Sequence, residues 1–248
     1  MPEPRHLRNA PITEAIIDIR AKSRPGLDPS VFLDVHPRVV DRLPLREERK
    51  GGQVTFRIGS AGPVPPEIQD LGVQGYFYKS NDEKLIAQFR NDGFTLNRLK
   101  PYTSWEEIFP LAIDLWRLYV EFATPEAVTR LALRYINHIS LPDEPADIDH
   151  FLLAAPPIPE GLPQFIGPFQ TRVAIHDPGA QCAANVIQAF EPGSKGAAPS
   201  LLLDIDAFKL TTLAPDNPEV QTTLAHLHNF KNRIFFSMLS DNTLRFFE

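Results

Sequence analysis

Proline occupies 25 of the 248 positions in this chain, about twice its usual share in globular proteins. Because proline interrupts helices and central strands, regular elements should be short or should end where prolines cluster. The densest cluster is in residues 155–168, where we expect a long loop. The proline content therefore predicts many separate elements joined by rigid turns.

Most of these elements are predicted to be strands. In residues 13–21 apolar and charged side chains alternate, which is typical of a strand with one buried face. The sequence Asn91-Asp92-Gly93 is typical of a tight hairpin, so the runs on either side of it should pair antiparallel. The proline-rich residues 60–67 predict an ordered loop. The other predicted strands are residues 53–59, 75–80, 84–90, 94–99, 128–141, 169–176, 182–191 and 200–208.

Three stretches have the apolar spacing of helices. The first covers residues 31–43. The second, residues 104–122, opens with Ser104 and Glu107 in the pattern of a capping box. The third begins at Asn217 and carries an apolar stripe of Val220, Leu224, Leu227, Ile234 and Met238.

The order of these elements predicts the fold class. Strand, helix, meander and helix occur twice, the second time about 115 residues after the first, which suggests an internal duplication. We expect an α+β fold in which long helices cover one face of an antiparallel sheet. The halves would be residues 1–124 and 125–248, unless they form one continuous domain. This order resembles the TATA-binding-protein-like and helix-grip folds, a likeness that carries no function.

Composition excludes some classes of function. The net charge of −6 argues against a broad nucleic-acid-binding surface, because such surfaces depend on clustered lysine and arginine. The N-terminus lacks the basic and apolar run of a signal peptide, and no later segment is apolar enough to span a membrane. We therefore expect a cytoplasmic protein without a membrane partner. Cys182, the only cysteine, lies beside two alanines and is predicted to be a small buried filler.

Charged side chains spaced by two or four residues within predicted strands indicate a candidate binding surface. If they share the face that the helices leave open, their arginines would suit carboxylate or phosphate groups. Alternatively, these charges pair with one another across an exposed sheet. The candidate ligand-binding residues are Asp18, Arg20, Arg90, Arg98, Arg130, Arg134 and His138.

Two further pairs bear on metal binding. Asp204 and Asp206 lie on one face of a predicted strand and could hold Mg²⁺ or Mn²⁺ with a substrate phosphate. The alternative is a solvated strand face, and we expect no cofactor. His226 and His228 point about 200° apart on a helix, so they cannot share an ion, and both are predicted to be surface residues.

Five stretches of the chain are distinctive as a set: Asn9 to Ala15, Gln88 to Arg90 with Asp92 to Phe94, Tyr102 to Glu106, Arg134 to Asn137 and Lys231 to Phe236. Together they resemble a sporadically distributed family of uncharacterised prokaryotic proteins of about this length. The resemblance covers essentially the whole chain and implies a bacterial protein spread by horizontal transfer. Such genes often lie in defence or toxin–antitoxin neighbourhoods, which implies a protein partner, but the family has no settled activity.

The sequence contains no nucleotide-binding loop and no serine-hydrolase elbow. This favours a noncatalytic binding or regulatory protein that holds a protein or an anionic ligand on the open sheet face or in a groove between the halves. The alternative is a metal-dependent enzyme acting on a phosphorylated substrate, with Asp204 and Asp206 as ligands. That alternative fails if both aspartates lie more than about 8 Å from every strand arginine. A homodimer is compatible with either hypothesis.

Overall fold

The computed structural model describes residues 7–59, 62–142, 148–164, 166–193 and 198–248, with no side chain described from 53 to 68. The strands are β1 (Ile12–Lys22), β2 (Leu45–Gly59), β3 (Gly62–Lys79), β4 (Leu85–Arg90), β5 (Gly93–Leu99), β6 (Ala127–Ser140), β7 (Phe169–Asp177), β8 (Cys182–Glu191) and β9 (Ser200–Leu213). The α-helices are α1 (His36–Val39), α2 (Trp105–Ala123), α3 (Glu219–Met238) and α4 (Asp241–Leu244). Three 3₁₀ helices cover Pro29–Val35, Ile148–His150 and Arg245–Phe247.

Within the described residues, the nine strands form one antiparallel sheet in the order β2-β3-β4-β5-β1-β6-β9-β8-β7. The predicted α+β class and the antiparallel sheet are confirmed. Strands from both sides of position 124 join where β1 pairs with β6. The division into residues 1–124 and 125–248 stays a prediction.

The alternating sequence of β1 separates the two faces of the sheet. Ala15, Ile17 and Ile19 are buried on one face, whereas Asp18 and Arg20 lie on the other. The predicted hairpin at residues 91–93 is also present, joining β4 to β5. Gly93 has a φ of 141°, and a Cβ there would lie 2.2 Å from the Ile19 carbonyl oxygen. Only glycine therefore allows β5 to approach β1 this closely.

Helix α2 begins as its sequence predicts. The Ser104 hydroxyl accepts a hydrogen bond of 3.3 Å from the Glu107 amide, and Pro110 lies inside the helix. Tyr119 of α2 stacks on Phe32 with 5.6 Å between ring centroids, and Phe32 lies 6.0 Å from Phe89 of β4. These aromatic rings connect α2 and the first 3₁₀ helix to the sheet.

The last long helix, α3, was also predicted at its observed position. Its buried residues include Val220, Leu224, Leu227 and Ile234, four members of the predicted stripe, and it packs against β6 and β9. No helix in the described part of the chain combines the length and apolarity needed to cross a membrane.

Two elements differ from the prediction. The helix expected over residues 31–43 is a 3₁₀ helix followed by one turn of α1, with Asp28 accepting from the Ser30 amide at 2.9 Å. Residues 62–67, expected in a loop, belong to β3, while positions 60 and 61 lie outside the described residues. Because β4 pairs with β3 only from Gly75 onward, residues 62–74 have a strand partner on one side, which lets prolines fit there.

Candidate functional site

Most of the predicted charged residues meet on one face of the sheet, in what we call the aspartate–arginine network. Its centre is Asp18, next to Thr95 on β5 and Ala132 on β6 in the strand register. Side chains that are directly opposite in an antiparallel sheet share a face, which brings distant positions together. The network consists of Asp18, Arg20, Arg90, Asp92, Arg130, Arg134, Asp204 and Asp206.

Asp18 and Arg90 form the most buried pair of the network. An Arg90 Nη2–Asp18 Oδ1 contact of 3.0 Å joins side chains that are 6% and 13% exposed. The Thr95 hydroxyl donates to Asp18 Oδ1 at 2.7 Å, and Arg20 Nε lies 3.1 Å from Asp18 Oδ2. Burial opposes ionisation of Asp18, but the Arg90 charge, the Thr95 hydrogen bond and the Arg20 charge outweigh it and lower the pKa of Asp18.

The second part of the network joins β6 to β9. Arg130 donates from Nη2 to both carboxylate oxygens of Asp206, at 2.9 and 2.8 Å, and from Nη1 to Asp18 at 3.3 Å. Arg134 holds Asp204 with contacts of 2.9 and 2.5 Å. All of these contacts are charge-assisted, and the two parallel bonds of Arg134 form the fork in which arginine is strongest.

The network therefore neutralises itself, with four guanidinium groups facing four carboxylates. A ligand anion, or a metal ion at Asp204 and Asp206, would first have to displace an arginine pair. Both aspartates contact arginines directly, so the 8 Å criterion does not exclude the metal-dependent enzyme. However, neither aspartate belongs to a group of three metal-ligating side chains within the described residues. Ligand and metal binding at these positions stay predictions.

Two candidates lie apart from the network. Arg98 is opposite Ala15 in the register, so it lies on the face that carries Ile17, and it donates to the Pro101 carbonyl at 3.1 Å. Arg98 therefore does not share a face with the other arginines, because Thr95 occupies the network face of β5 and Arg98 lies three residues further along. His138 is exposed near the end of β6, opposite Leu202.

A second candidate site is a cavity of about 290 Å³ beside the start of α2, which we call the α2–α3 pocket. Its walls come from residues before β1, from the start of α2, from β6 and from α3. It is lined by Leu7, Arg8, Ala10, Ile12, Tyr102, Thr103, Ser104, Trp105, Glu106, Asn137, His228, Lys231, Asn232, Phe235 and Phe236.

Lys231 is the unusual group in this pocket. It is 6% exposed, and its Nζ lies 3.7 Å from the centroid of the Tyr135 ring, a cation–π contact. Among the described residues its ammonium group has no carboxylate or hydrogen-bond partner. Burial lowers the pKa of Lys231 to about 7.

The aromatic wall of the pocket also contains a histidine that was predicted at the surface. The His228 ring stacks on Trp105 with 4.3 Å between centroids, and Trp105 stacks on Phe109 at 4.4 Å. Burial, followed by the charge of Lys231, lowers the pKa of His228 to about 3. The surface assignment of His228 is therefore wrong, because this side of α3 faces Trp105. His226 is exposed, as predicted.

Lys231 lies in one of the five resembling stretches, but the sequence analysis did not predict it as a site residue. The sequence nevertheless contains a pattern that indicates its burial. The predicted stripe on α3 passes from Leu227 to Ile234 and leaves a helical position empty between them, which Lys231 fills. Four of the five resembling stretches contribute residues to the pocket or, through Tyr135, to the contact with Lys231.

Comparison of the chain with family models, with curated proteins and with solved structures finds no match.

Proposed function

We propose that this protein is a noncatalytic binding protein that holds a small anionic ligand in the α2–α3 pocket. The observation that supports this proposal is the buried ammonium group of Lys231, which lines the cavity and has no anionic partner among the described residues. Burying an unpaired amine is costly, and a protein retains it most readily where a ligand supplies the missing charge.

The surroundings of Lys231 favour an anion. The amides of Trp105 and Glu106 lie in the first turn of a 19-residue helix, where backbone N–H groups have no partner within the helix and the helix dipole is positive. Arg8 adds a second cation to the lining, whereas Glu106 adds the only carboxylate among these lining residues. A carboxylate or phosphate group beside Lys231 would thus meet positive charge from two sides.

The size and lining of the pocket favour a small ligand. A volume of about 290 Å³ is at the lower end of ligand-binding cavities. Trp105 and His228 stack on each other and contribute to the aromatic wall of the pocket, and Phe235 and Phe236 add further apolar groups. These groups suit an apolar body attached to the anionic group.

We also propose that the chain is a duplication with the pocket between its halves, and that the helices cover one face of the sheet. The strand order supports the duplication: β3-β4-β5-β1 is followed by β6-β9-β8-β7, so the first strand of each half lies next to the last strand of that half. The pocket takes residues 7–12 and 102–106 from the first half and Asn137 and residues 228–236 from the second.

Anion binding is expected to depend on Lys231. Inorganic phosphate, acetate and benzoate would each be titrated against the wild type, Lys231→Met and Lys100→Met by calorimetry and thermal denaturation. Lys100 is an exposed lysine outside the pocket, so its replacement removes the same charge. We expect binding by at least one anion in the wild type and in Lys100→Met, and its loss in Lys231→Met. Equal responses of all three proteins, or none, would contradict the proposal.

The pH dependence of binding provides an independent check. Acetate and benzoate are fully ionised above pH 6 and prefer the protonated amine, so the affinity of either should be constant below pH 7 and fall about tenfold per unit above the Lys231 pKa of about 7. The measurement is calorimetric titration of the wild type between pH 6 and pH 9. Buffers with different ionisation enthalpies would be compared, so that the number of protons taken up on binding can be determined. Affinity that is independent of pH over this range would place the anion away from Lys231.

The metal-dependent enzyme is a second candidate, because Asp204 and Asp206 lie close enough to arginines for one metal ion and one phosphate to bridge them once the ion pairs open. This function requires that Mg²⁺ or Mn²⁺, together with pyrophosphate, breaks the ion pairs of Asp204 and Asp206 with the arginines of the aspartate–arginine network. A protein that binds these together, and loses binding in Asp206→Asn but not in Lys231→Met, would support the enzyme and contradict the pocket proposal.

A further inference from the structure

We propose that Asp177, Cys182 and His226 form a zinc site. Asp177 ends β7, Cys182 begins β8, and His226 lies on α3 facing their hairpin. One carboxylate oxygen, the thiol sulfur and one imidazole nitrogen all lie within 4.8 Å of one another. No other group of three metal-ligating side chains is this close in the described part of the chain. The site is separate from the α2–α3 pocket, so it does not depend on the proposed function.

The ligand types point to zinc rather than magnesium. A thiolate and an imidazole are soft or borderline ligands, which zinc accepts and magnesium does not. With zinc–sulfur and zinc–nitrogen bonds of about 2.3 and 2.0 Å, tetrahedral ligand atoms lie about 3.3 to 3.6 Å apart. Each distance between two of the three ligand atoms therefore needs to shorten by at most about 1.5 Å for all three to bind one ion.

The same geometry argues against a catalytic triad of cysteine, histidine and aspartate. In a triad the imidazole lies between its partners and uses both ring nitrogens, which places the sulfur and the carboxylate about 7 Å apart. Here the sulfur of Cys182 and an oxygen of Asp177 lie within 4.8 Å of each other, and both lie within 4.8 Å of the same nitrogen of His226. A closed triangle of this kind suits a common ion.

Neighbouring groups hold the carboxylate in place. The Ala180 amide donates to Asp177 Oδ1 at 3.1 Å, and Arg233 Nη2 lies 3.2 Å from Asp177 Oδ2. Such outer contacts orient metal ligands and tune their basicity. Cys182 is buried and is not part of a disulfide, so its sulfur is available to a metal. Three protein ligands would leave a fourth coordination position for water or another small ligand.

The test uses the full chain, freed of metal with a chelator and titrated with zinc alone and with Co²⁺. We expect one zinc per chain and, with Co²⁺, the near-ultraviolet thiolate charge-transfer band of a bound cysteine. Cys182→Ser should lose that band, and His226→Ala should bind zinc more than about 100-fold more weakly, beyond the effect usual for outer contacts. His176→Ala removes an exposed histidine next to Asp177 and should behave as the wild type.

Circular dichroism of the metal-free variants would show that each one is folded. If Cys182→Ser does not fold, the zinc affinity of His226→Ala tests the proposal by itself. Zinc affinity that is the same in His226→Ala and the wild type would overturn the proposal, as would the absence of zinc binding or of the charge-transfer band in the wild type.

Discussion

Arg90→Met is expected to lower the free energy of unfolding by about 2 to 3 kcal/mol, below the range for an isolated buried ion pair because Arg20 and Arg130 still contact Asp18. The variant leaves Asp18, which is 13% exposed, without its closest cation. Arg20 and Arg130 would still contact Asp18, at 3.1 and 3.3 Å, but both are more exposed than Arg90 and balance the negative charge less well. Urea denaturation of the wild type and the variant at neutral pH measures the difference.

Arg20→Met is the matched control for this prediction. Arg20 also contacts Asp18, but its side chain is 41% exposed, so its loss should cost no more than about 1 kcal/mol. In the double variant Asp18→Asn with Arg90→Met, the total loss should be smaller than the sum of the two single losses, because no unpaired charge remains. Similar losses for Arg90→Met and Arg20→Met would show that burial does not strengthen the pair.

Acidification should reduce the effect of Arg90→Met. In the wild type the pKa of Asp18 is below its ordinary value of 3.8, so its contribution to stability is present above pH 3.8 and is lost as the pH falls through the lowered pKa. In the variant the buried carboxyl group loses its main stabilising charge and takes up a proton more readily. The difference in the free energy of unfolding should therefore be largest near neutral pH and narrow toward pH 3.

Lys231→Met should have the opposite effect and raise the free energy of unfolding by about 2 to 4 kcal/mol at neutral pH. Lowering the pKa of Lys231 from 10.5 to about 7 corresponds to a folding penalty on the order of 4 kcal/mol, which methionine does not have. The loss of the cation–π contact with Tyr135 offsets up to about 2 kcal/mol of the gain.

The gain should depend on pH in a definite direction. Between pH 7 and 10.5 the unfolded wild type binds more protons at Lys231 than the folded protein, so the stability of the wild type rises with pH. The advantage of Lys231→Met is thus greatest below pH 7 and disappears toward pH 10.5. Lys100→Met, which removes an exposed lysine, should stay within about 0.5 kcal/mol of the wild type. A destabilised Lys231→Met variant would mean that Lys231 has a structural role.

The fold was largely predictable because its local signals agree with its long-range pairing. The alternation in β1, the hairpin at Asn91-Asp92-Gly93 and the cap at Ser104 each appear where they were expected. The proline-rich residues 62–67 were mispredicted because a strand paired on one side only has places for proline that a central strand lacks. Strand order cannot be deduced from local patterns, since it depends on contacts between distant residues.

The candidate sites were predictable only in part, for a related reason. Charges at two-residue spacing indicated one sheet face, and most of them do meet there. Their mutual pairing depends on the register between strands, which also places Arg98 on the other face. Lys231 and the group around Cys182 depend on which surfaces α3 packs against. The spacing of His226 and His228 along α3 predicted that their side chains point in different directions. It could not predict which residues each histidine contacts.

The pairing of β1 with β6 has a consequence for the growing chain during synthesis. Ile17 of β1 pairs with Leu133 of β6. One edge of β1 therefore has no pairing strand until more than a hundred further residues have been synthesised. At about 5 to 20 residues per second, that interval lasts on the order of 10 s. During this time a strand that carries Ile17 and Ile19 has one unsatisfied edge, the kind of surface that pairs with other chains. The nascent chain is thus most exposed to aggregation before β6 leaves the ribosome.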